Sequence, residues 1–190
     1  MQPDARHNPR LKRPPRPLDR PRMEEMALAY VARFATSAAK LEAYLKRKLR
    51  ERGWDGEGQP DVAALVGRYV ELGYIDDETY ARTKAGGLLR RGYGPRRVSQ
   101  ALGAAGISED IRENVQASEA EERRAALALA RKRRFGPFGT ATTDRAMREK
   151  QIAAMLRAGH ALDSARELVD APSTEAAEQW AAAGEEEDGS

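Results

Sequence analysis

The sequence contains no cysteine, which excludes disulfide bonds, thiolate metal ligands and a cysteine nucleophile. No apolar run approaches the roughly 18 residues that a membrane-spanning helix needs. The N-terminal residues are basic, but the apolar stretch of a secretory signal does not follow them. We therefore expect a soluble, cytoplasmic protein that does not associate with membranes.

Histidine is almost absent as well, because only His7 and His160 occur in 190 residues. Neither has a spaced His or Cys partner, which argues against a metal site. Two adjacent acids, Asp76 and Asp77, leave two interpretations open: a metal or acid/base pair, or a helix N-terminus whose amides the carboxylates cap. The second role is much the commoner. We expect no catalytic residue, no metal and no cofactor, and hence no enzyme.

Aromatic residues make up only 6% of the chain, and no stretch alternates apolar and polar residues as a half-buried strand would. Apolar residues instead recur at spacings of three and four, which is typical of amphipathic helices. Ser108 and Ser118 stand where helix N-caps are expected, and Glu121 completes a capping box with Ser118. The sequence therefore predicts an all-α fold.

Three glycines, Gly53, Gly106 and Gly159, are separated by equal intervals of 53 residues. An apolar residue precedes each glycine by four positions, and glycine is the residue that most easily ends a helix in the left-handed conformation. Chance register among Ala- and Leu-rich helices is the alternative. We predict an elongated array of three tandem three-helix repeats. The predicted units are residues 23–73, 74–117 and 118–171.

The two ends of the chain differ in charge. Residues 1–22 are rich in proline and arginine, whereas residues 172–190 are acidic and contain no Lys or Arg. Both compositions are typical of disordered tails, with room for a short helix near Trp180. We therefore predict a disordered basic N-terminal tail and a disordered acidic C-terminal tail.

The middle of the chain is basic without any compensating acid. Between Thr79 and Ser108 there is no Asp or Glu, and Tyr93 lies between two arginine pairs. Lys and Arg bind nucleic acids largely by releasing counterions from phosphates, so this stretch is a candidate phosphate contact, although a solvated helix face is the alternative. Residues 46–52 and 131–134 are two further basic clusters. The candidate contact residues are Arg82, Lys84, Arg90, Arg91, Tyr93, Arg96 and Arg97.

Residues 72–81, 94–98 and 102–107 resemble the sequence signature of the RecX family of regulatory proteins. The resemblance spans roughly 23–171 and is most specific in the middle unit. The residues that carry it, which we expect to be mainly structural, are Gly73, Tyr74, Asp76, Asp77, Ala81, Gly94, Leu102 and Gly106.

The resemblance implies a monomeric, non-enzymatic array of three-helix repeats that binds the filament of the RecA recombinase along its groove. Such proteins are negative regulators of RecA ATPase, strand-exchange and co-protease activities in DNA repair and the SOS response, and some contact single- or double-stranded DNA without sequence preference. Two alternatives stay open from the residues alone: an autonomous, non-specific DNA-binding protein, and a helical adaptor for another protein.

Overall fold

A computed structural model describes residues 16–140 and 144–187, with side chains as far as Gly184. In these ranges the chain forms ten α-helices and one short 3-10 helix (Gly136–Phe138). The same ranges contain no β-strand, and no helix in them is long and apolar enough to cross a membrane. The all-α prediction is confirmed. The helices are α1 (Arg20–Arg33), α2 (Ala38–Arg52), α3 (Val62–Glu71), α4 (Asp77–Arg90), α5 (Pro95–Gly103), α6 (Glu109–Asn114), α7 (Glu119–Arg133), α8 (Arg145–Arg157), α9 (Leu162–Val169) and α10 (Thr174–Glu187).

The apolar side chains form three separate cores along the chain. The first lies within α1–α3, the second within α4–α6, and the third within α7–α10. Ala125 of α7 belongs to the second core, so neighbouring units share a boundary. We refer to α1–α3, α4–α6 and α7–α9 as the first, second and third units. This layout is that of a tandem array whose units pack on their neighbours.

Polar side chains set where several helices begin. Ser108 accepts a hydrogen bond from the amide of Ile111, and Ser118 forms the complete capping box with Glu121. Both predicted caps are confirmed. Asp76 caps α4 by accepting from the amide and the hydroxyl of Thr79 at 2.9 and 2.6 Å.

The three equally spaced glycines all occupy turns that follow the second helix of a unit. Gly53, Gly106 and Gly159 have φ values of +82°, +74° and +98°, which favour glycine because it has no Cβ. The predicted glycine turns are therefore confirmed in all three units.

The glycine turn of the second unit is also its junction with the first. A Cβ on Gly106 would lie 2.2 Å from that of Ala39, so the start of α2 packs directly on this turn. The buried hydroxyl of Ser37 donates to the carbonyl of Ala105 at 2.6 Å, and the carboxylate of Asp77 accepts from the amide of Ala38 at 2.9 Å. The N-terminus of α2 is thus fixed against the second unit.

The same arrangement recurs between the second and third units. The amide of Gly94 donates to the carbonyl of Ala158 at 2.9 Å, and the amide of Arg96 donates to the carbonyl of Gly159 at 3.2 Å. The acceptors Ala105 and Ala158 are themselves 53 residues apart, each directly before its turn glycine. In both junctions, therefore, the residue that begins the second helix of one unit donates to the glycine turn of the next.

The glycine turn of the first unit is covered by the chain's own N-terminal segment. Leu18 is fully buried, its amide donates to the carbonyl of Gly53 at 3.0 Å, and its carbonyl accepts from the amide of Asp55. Asp19 then caps α1. The prediction of a disordered tail is wrong for residues 16–22, because one apolar residue among the prolines has a buried site; residues 1–15 lie outside the described residues.

The predicted disordered C-terminal tail is also wrong over most of its length. Thr174–Glu187 forms α10, which packs along α7 with Ala177 and Ala181 buried. A Cβ on Gly184 would lie 3.1 Å from the Cα of Ala120, so small residues let the two helices approach closely. The prediction considered only the acidic composition of the segment and not its small residues, which form one face of α10. Residues 188–190 lie outside the described part.

His160 joins the second and third units as a buried polar group. Its ring is 1% exposed, and Nε2 lies 2.9 Å from the carbonyl oxygen of Gly92. A carbonyl only accepts, so this nitrogen carries the proton. Burial lowers the pKa of His160 below its ordinary value of 6.5, and the hydrogen bond to Gly92 opposes that effect only in part.

The lowered pKa predicts how stability depends on pH. The unfolded chain takes up a proton near pH 6.5 that the folded protein resists, so this contribution is fully present above about 6.5 and declines as pH falls below it. We expect the urea midpoint to decrease between pH about 7.5 and about 5.5, a range above the titration of ordinary carboxylates. His160→Gln, which retains a donor but does not titrate, should show a flatter profile; equal slopes would contradict the prediction.

Candidate nucleic-acid interface

The arginine pairs of the middle unit flank the turn between α4 and α5. Arg90 and Arg91 end α4, Tyr93 lies in the turn, and Arg96 and Arg97 occupy the first turn of α5. All five side chains are exposed. Within the described residues, no carboxylate oxygen lies within 4.0 Å of any of these four guanidinium groups. We call these five residues the arginine turn.

A pair of glycines makes room for two of these side chains. The Nε of Arg91 donates to the carbonyl of Gly87 at 2.9 Å, and a Cβ on Gly86 would lie 3.2 Å from a terminal nitrogen of Arg90. Both arginines therefore fold back along α4 over Gly86 and Gly87. The glycines serve the packing of guanidinium groups.

The start of α5 has an unusual charge for a helix N-terminus. Its first turn contains Arg96 and Arg97, no acid and no side-chain cap. Cations there oppose the helix dipole, which favours negative charge at this end. By contrast, α4 begins with Asp77 and Glu78. An anion bound at the arginine turn would offset the unfavourable interaction between these cations and the helix dipole. In the described ranges, no carboxylate lies close enough to these arginines to have that effect.

Arg82 lies apart from the other candidate residues. It forms an ion pair with Glu78, one turn earlier on α4. Because Arg82 is two positions from both Tyr80 and Lys84, it lies on a different face of the helix from those two residues. The ion pair of Glu78 with Arg82 could have been predicted from the sequence, since Glu and Arg four residues apart commonly pair on a helix.

Lys84 instead lies in a cluster that the sequence did not reveal. The ammonium groups of Lys40 and Lys84 lie 5.4 and 5.5 Å from the centroid of the Tyr80 ring, and Lys84 Nζ donates to the Tyr80 hydroxyl at 3.3 Å. Burial raises the pKa of Tyr80, but hydrogen bonds and attraction from both lysines outweigh it, so the pKa lies below the usual value. We call these three residues the junction lysine cluster.

The other two basic clusters are partly neutralised by nearby acids. On α2, Lys46 pairs with Glu42, and both Arg47 and Lys48 pair with Glu51. In the third unit, Arg131 pairs with Glu178 of α10. These pairs leave the arginine turn and the junction lysine cluster as the stronger candidates for binding an external anion.

The signature residues mostly hold the fold. Gly73 and Gly106 have positive φ, Ala81 and Leu102 are buried, and a Cβ on Gly94 would lie 2.4 Å from the backbone of Gly159. Asp77 caps α2. Asp76 caps its own helix, and its hydrogen bonds with Thr79 hold its pKa below the usual value. Tyr74 is the exception, because it remains 57% exposed.

No group of three or more His, Asp or Glu side chains in the described ranges is arranged to hold a metal ion. The contact residues inferred from the sequence stay a prediction. Five of them, in the arginine turn, are neighbours on the surface, Lys84 lies in the separate cluster, and Arg82 is paired.

Comparison with known proteins gives consistent matches. Residues 76–115 match the family model described as RecX, second three-helix domain. The regulatory protein RecX of Myxococcus xanthus is 33% identical over 165 residues, covering 82% of this chain and 88% of that protein. A Thermus thermophilus protein of the same name is 36% identical over 113 residues, covering 60% of this chain and 73% of that protein.

The fold has a solved counterpart. The crystal structure of RecX from Lactobacillus salivarius aligns with a TM-score of 0.61 over 78% of this chain and 93% of that chain. At 18% sequence identity, this likeness concerns the fold alone.

Proposed function

The chain belongs to the RecX family of regulatory proteins, and on that basis we propose that it is a negative regulator of the RecA recombinase that binds the RecA–DNA filament. In this proposal it has no catalytic activity of its own and acts as a cytoplasmic monomer. It modulates ATP hydrolysis, strand exchange and co-protease activity in DNA repair and the SOS response.

The arginine turn is the observation that supports this proposal most directly. Four guanidinium groups lie on one turn, exposed and without carboxylate partners among the described residues, and two of them oppose a helix dipole. Such a surface favours binding of phosphates or of an acidic protein face. Arginines at a turn grip a backbone without reading its sequence, so the proposed DNA contact is non-specific.

The tandem architecture supports binding to a polymer. Three units with separate cores present several surfaces in fixed relation, because backbone hydrogen bonds join the second and third units and a serine hydroxyl joins the first two. Weak contacts to successive subunits and to DNA then combine into tight binding without a deep pocket.

The direct test is the ATPase activity of RecA on single-stranded DNA, measured with increasing amounts of this protein. We expect hydrolysis to decrease as the protein is added, because the filament is held in an inactive state or its extension is blocked. Undiminished hydrolysis at a molar excess over RecA would contradict the proposal.

Two binding measurements separate the alternatives. Tight binding to bare duplex DNA with a preference for one site would favour an autonomous DNA-binding protein. Capture of this protein by DNA-free RecA would support a direct protein contact. If neither DNA-free RecA nor RecA bound to DNA captures the protein, an adaptor for a different partner is favoured.

A further inference from the structure

The junction lysine cluster brings two cations from different units to one tyrosine. Lys40 lies in the first turn of α2, whereas Tyr80 and Lys84 lie one turn apart on α4. All three side chains are half-buried, and each ammonium group is within 6 Å of the phenol ring, at 5.4 and 5.5 Å. The site therefore exists only because the first and second units are packed together.

The junction holds Lys40 in place. Its own amide donates to the Ser37 hydroxyl at 3.3 Å, and that hydroxyl in turn donates to the carbonyl of Ala105. Because Ser37 is fully buried, the first turn of α2 is held firmly beside α4. The fold itself thus brings both lysines, which carry the same charge, to Tyr80.

Neither lysine is neutralised within the described residues. No carboxylate oxygen lies within 4.0 Å of either ammonium group. The three acids at this end of α4 have other partners: Asp76 accepts from the amide of Thr79, Asp77 accepts from the amide of Ala38, and Glu78 pairs with Arg82. Lys40 also lies in a first turn without acids, where the helix dipole disfavours a cation. Two neighbouring cations under these conditions are stabilised by a shared anion.

We propose that Lys40, Tyr80 and Lys84 form a binding site for a backbone phosphate of a nucleic-acid strand. The two ammonium groups contact the phosphate oxygens, and the Tyr80 hydroxyl orients Lys84. Lys84 and Arg91 are seven residues apart and share a face of α4. A strand bound here therefore continues along α4 toward the arginine turn. The identity of this strand as the DNA of the filament rests on the proposed function. The phosphate contact itself requires no recombinase.

The test measures binding of a fluorescein-labelled oligothymidylate to the full chain alone, by fluorescence anisotropy across a series of NaCl concentrations. Each phosphate contact on a single strand contributes about 0.7 to the salt slope, which corresponds to about fivefold in affinity near 0.1 M salt. We expect Lys40→Gln and Lys84→Gln each to lower the slope by up to about 0.7 and the affinity by up to about fivefold. The double variant should lose less than the product of the two, because both lysines contact the same phosphate.

Lys46→Gln is the matched control. It removes the same charge from an exposed part of α2, where the ammonium group pairs with Glu42. We expect its salt slope to remain close to that of the unsubstituted protein. Thermal unfolding by circular dichroism verifies that the variants keep their fold.

Three results would overturn the phosphate site. One is equal behaviour of Lys40→Gln, Lys84→Gln and the Lys46→Gln control. Another is no binding of the unsubstituted protein at the lowest salt concentration. The third is unchanged oligonucleotide binding with weakened inhibition of RecA, which would assign the cluster to an acidic protein surface. If the lysines matter for oligonucleotide binding but the protein never affects RecA, the proposed function fails and the phosphate site stands.

Discussion

Replacement of Arg90, Arg91, Arg96 and Arg97 together by glutamine is expected to abolish inhibition of the RecA ATPase under conditions in which the unsubstituted protein inhibits fully. If each guanidinium group contacts one phosphate of a single strand, the four losses multiply to several hundredfold in affinity near 0.1 M salt, at about fivefold each. Because none of the four has a carboxylate partner in the described ranges, the substitution leaves no acid unpaired, and the fold should be kept.

The matched control removes four positive charges that are dispersed over the surface. A variant with four exposed arginines of α1, α2 and α9 changed to glutamine has the same net charge but an intact arginine turn. Inhibition by this control should remain close to normal. Equal loss in both variants would attribute the effect to net charge and would contradict the assignment of the turn. The four control residues are Arg20, Arg33, Arg47 and Arg166.

Gly159→Ala is expected to destabilise the protein by about 2 to 5 kcal/mol. Of this, about 1–2 kcal/mol arises from a left-handed backbone with φ of +98°. A further 1–3 kcal/mol, roughly, comes from overpacking, because the new Cβ would lie 2.5 Å from the amide nitrogen of Arg97. The measurement is urea unfolding in a Trp54→Phe background, where fluorescence reports Trp180 of α10, which packs against the core of the third unit.

Gly53→Ala is a control built into the repeat. Gly53 occupies the equivalent turn with φ of +82°, but apart from its own residue and its two chain neighbours no heavy atom lies within 4 Å of the position a Cβ would take. Its substitution therefore introduces backbone strain without the clash, and the loss should be smaller. If both alanine variants lost the same free energy of unfolding, the tight contact between Gly159 and Arg97 would not exist in solution.

The sequence was sufficient to predict the helical class and the glycine turns, because both have local signals. The 3.6-residue period, and the apolar residue four positions before each turn glycine, involve residues close together in the chain. The contact of Gly106 with Ala39 had no such signal, since the residues are 67 positions apart and neither is unusual for its own helix. The sequence therefore predicted turns but not their second role as junctions.

The candidate site was predictable to a similar extent. The absence of acids between Thr79 and Ser108 identified the arginine turn, while Glu78, one residue outside that stretch, neutralises Arg82. Lys40 could not be associated with Lys84 from the sequence, because only packing of two units brings them together. The tails were misjudged for a different reason: composition reports the average character of a segment, whereas single residues such as Leu18 and Ala181 decide whether it packs.

The junctions also give the molecule a direction. In the hydrogen bonds to the glycine turns at both junctions, the donor belongs to the earlier unit and the accepting turn to the later one, so the two ends of the array are chemically different. A ligand whose own repeats all point the same way, as the sugar-phosphate units of one nucleic-acid strand do, presents two inequivalent senses to such an array. If the protein binds a strand as proposed, we expect it to favour one of the two senses, even where it reads no base.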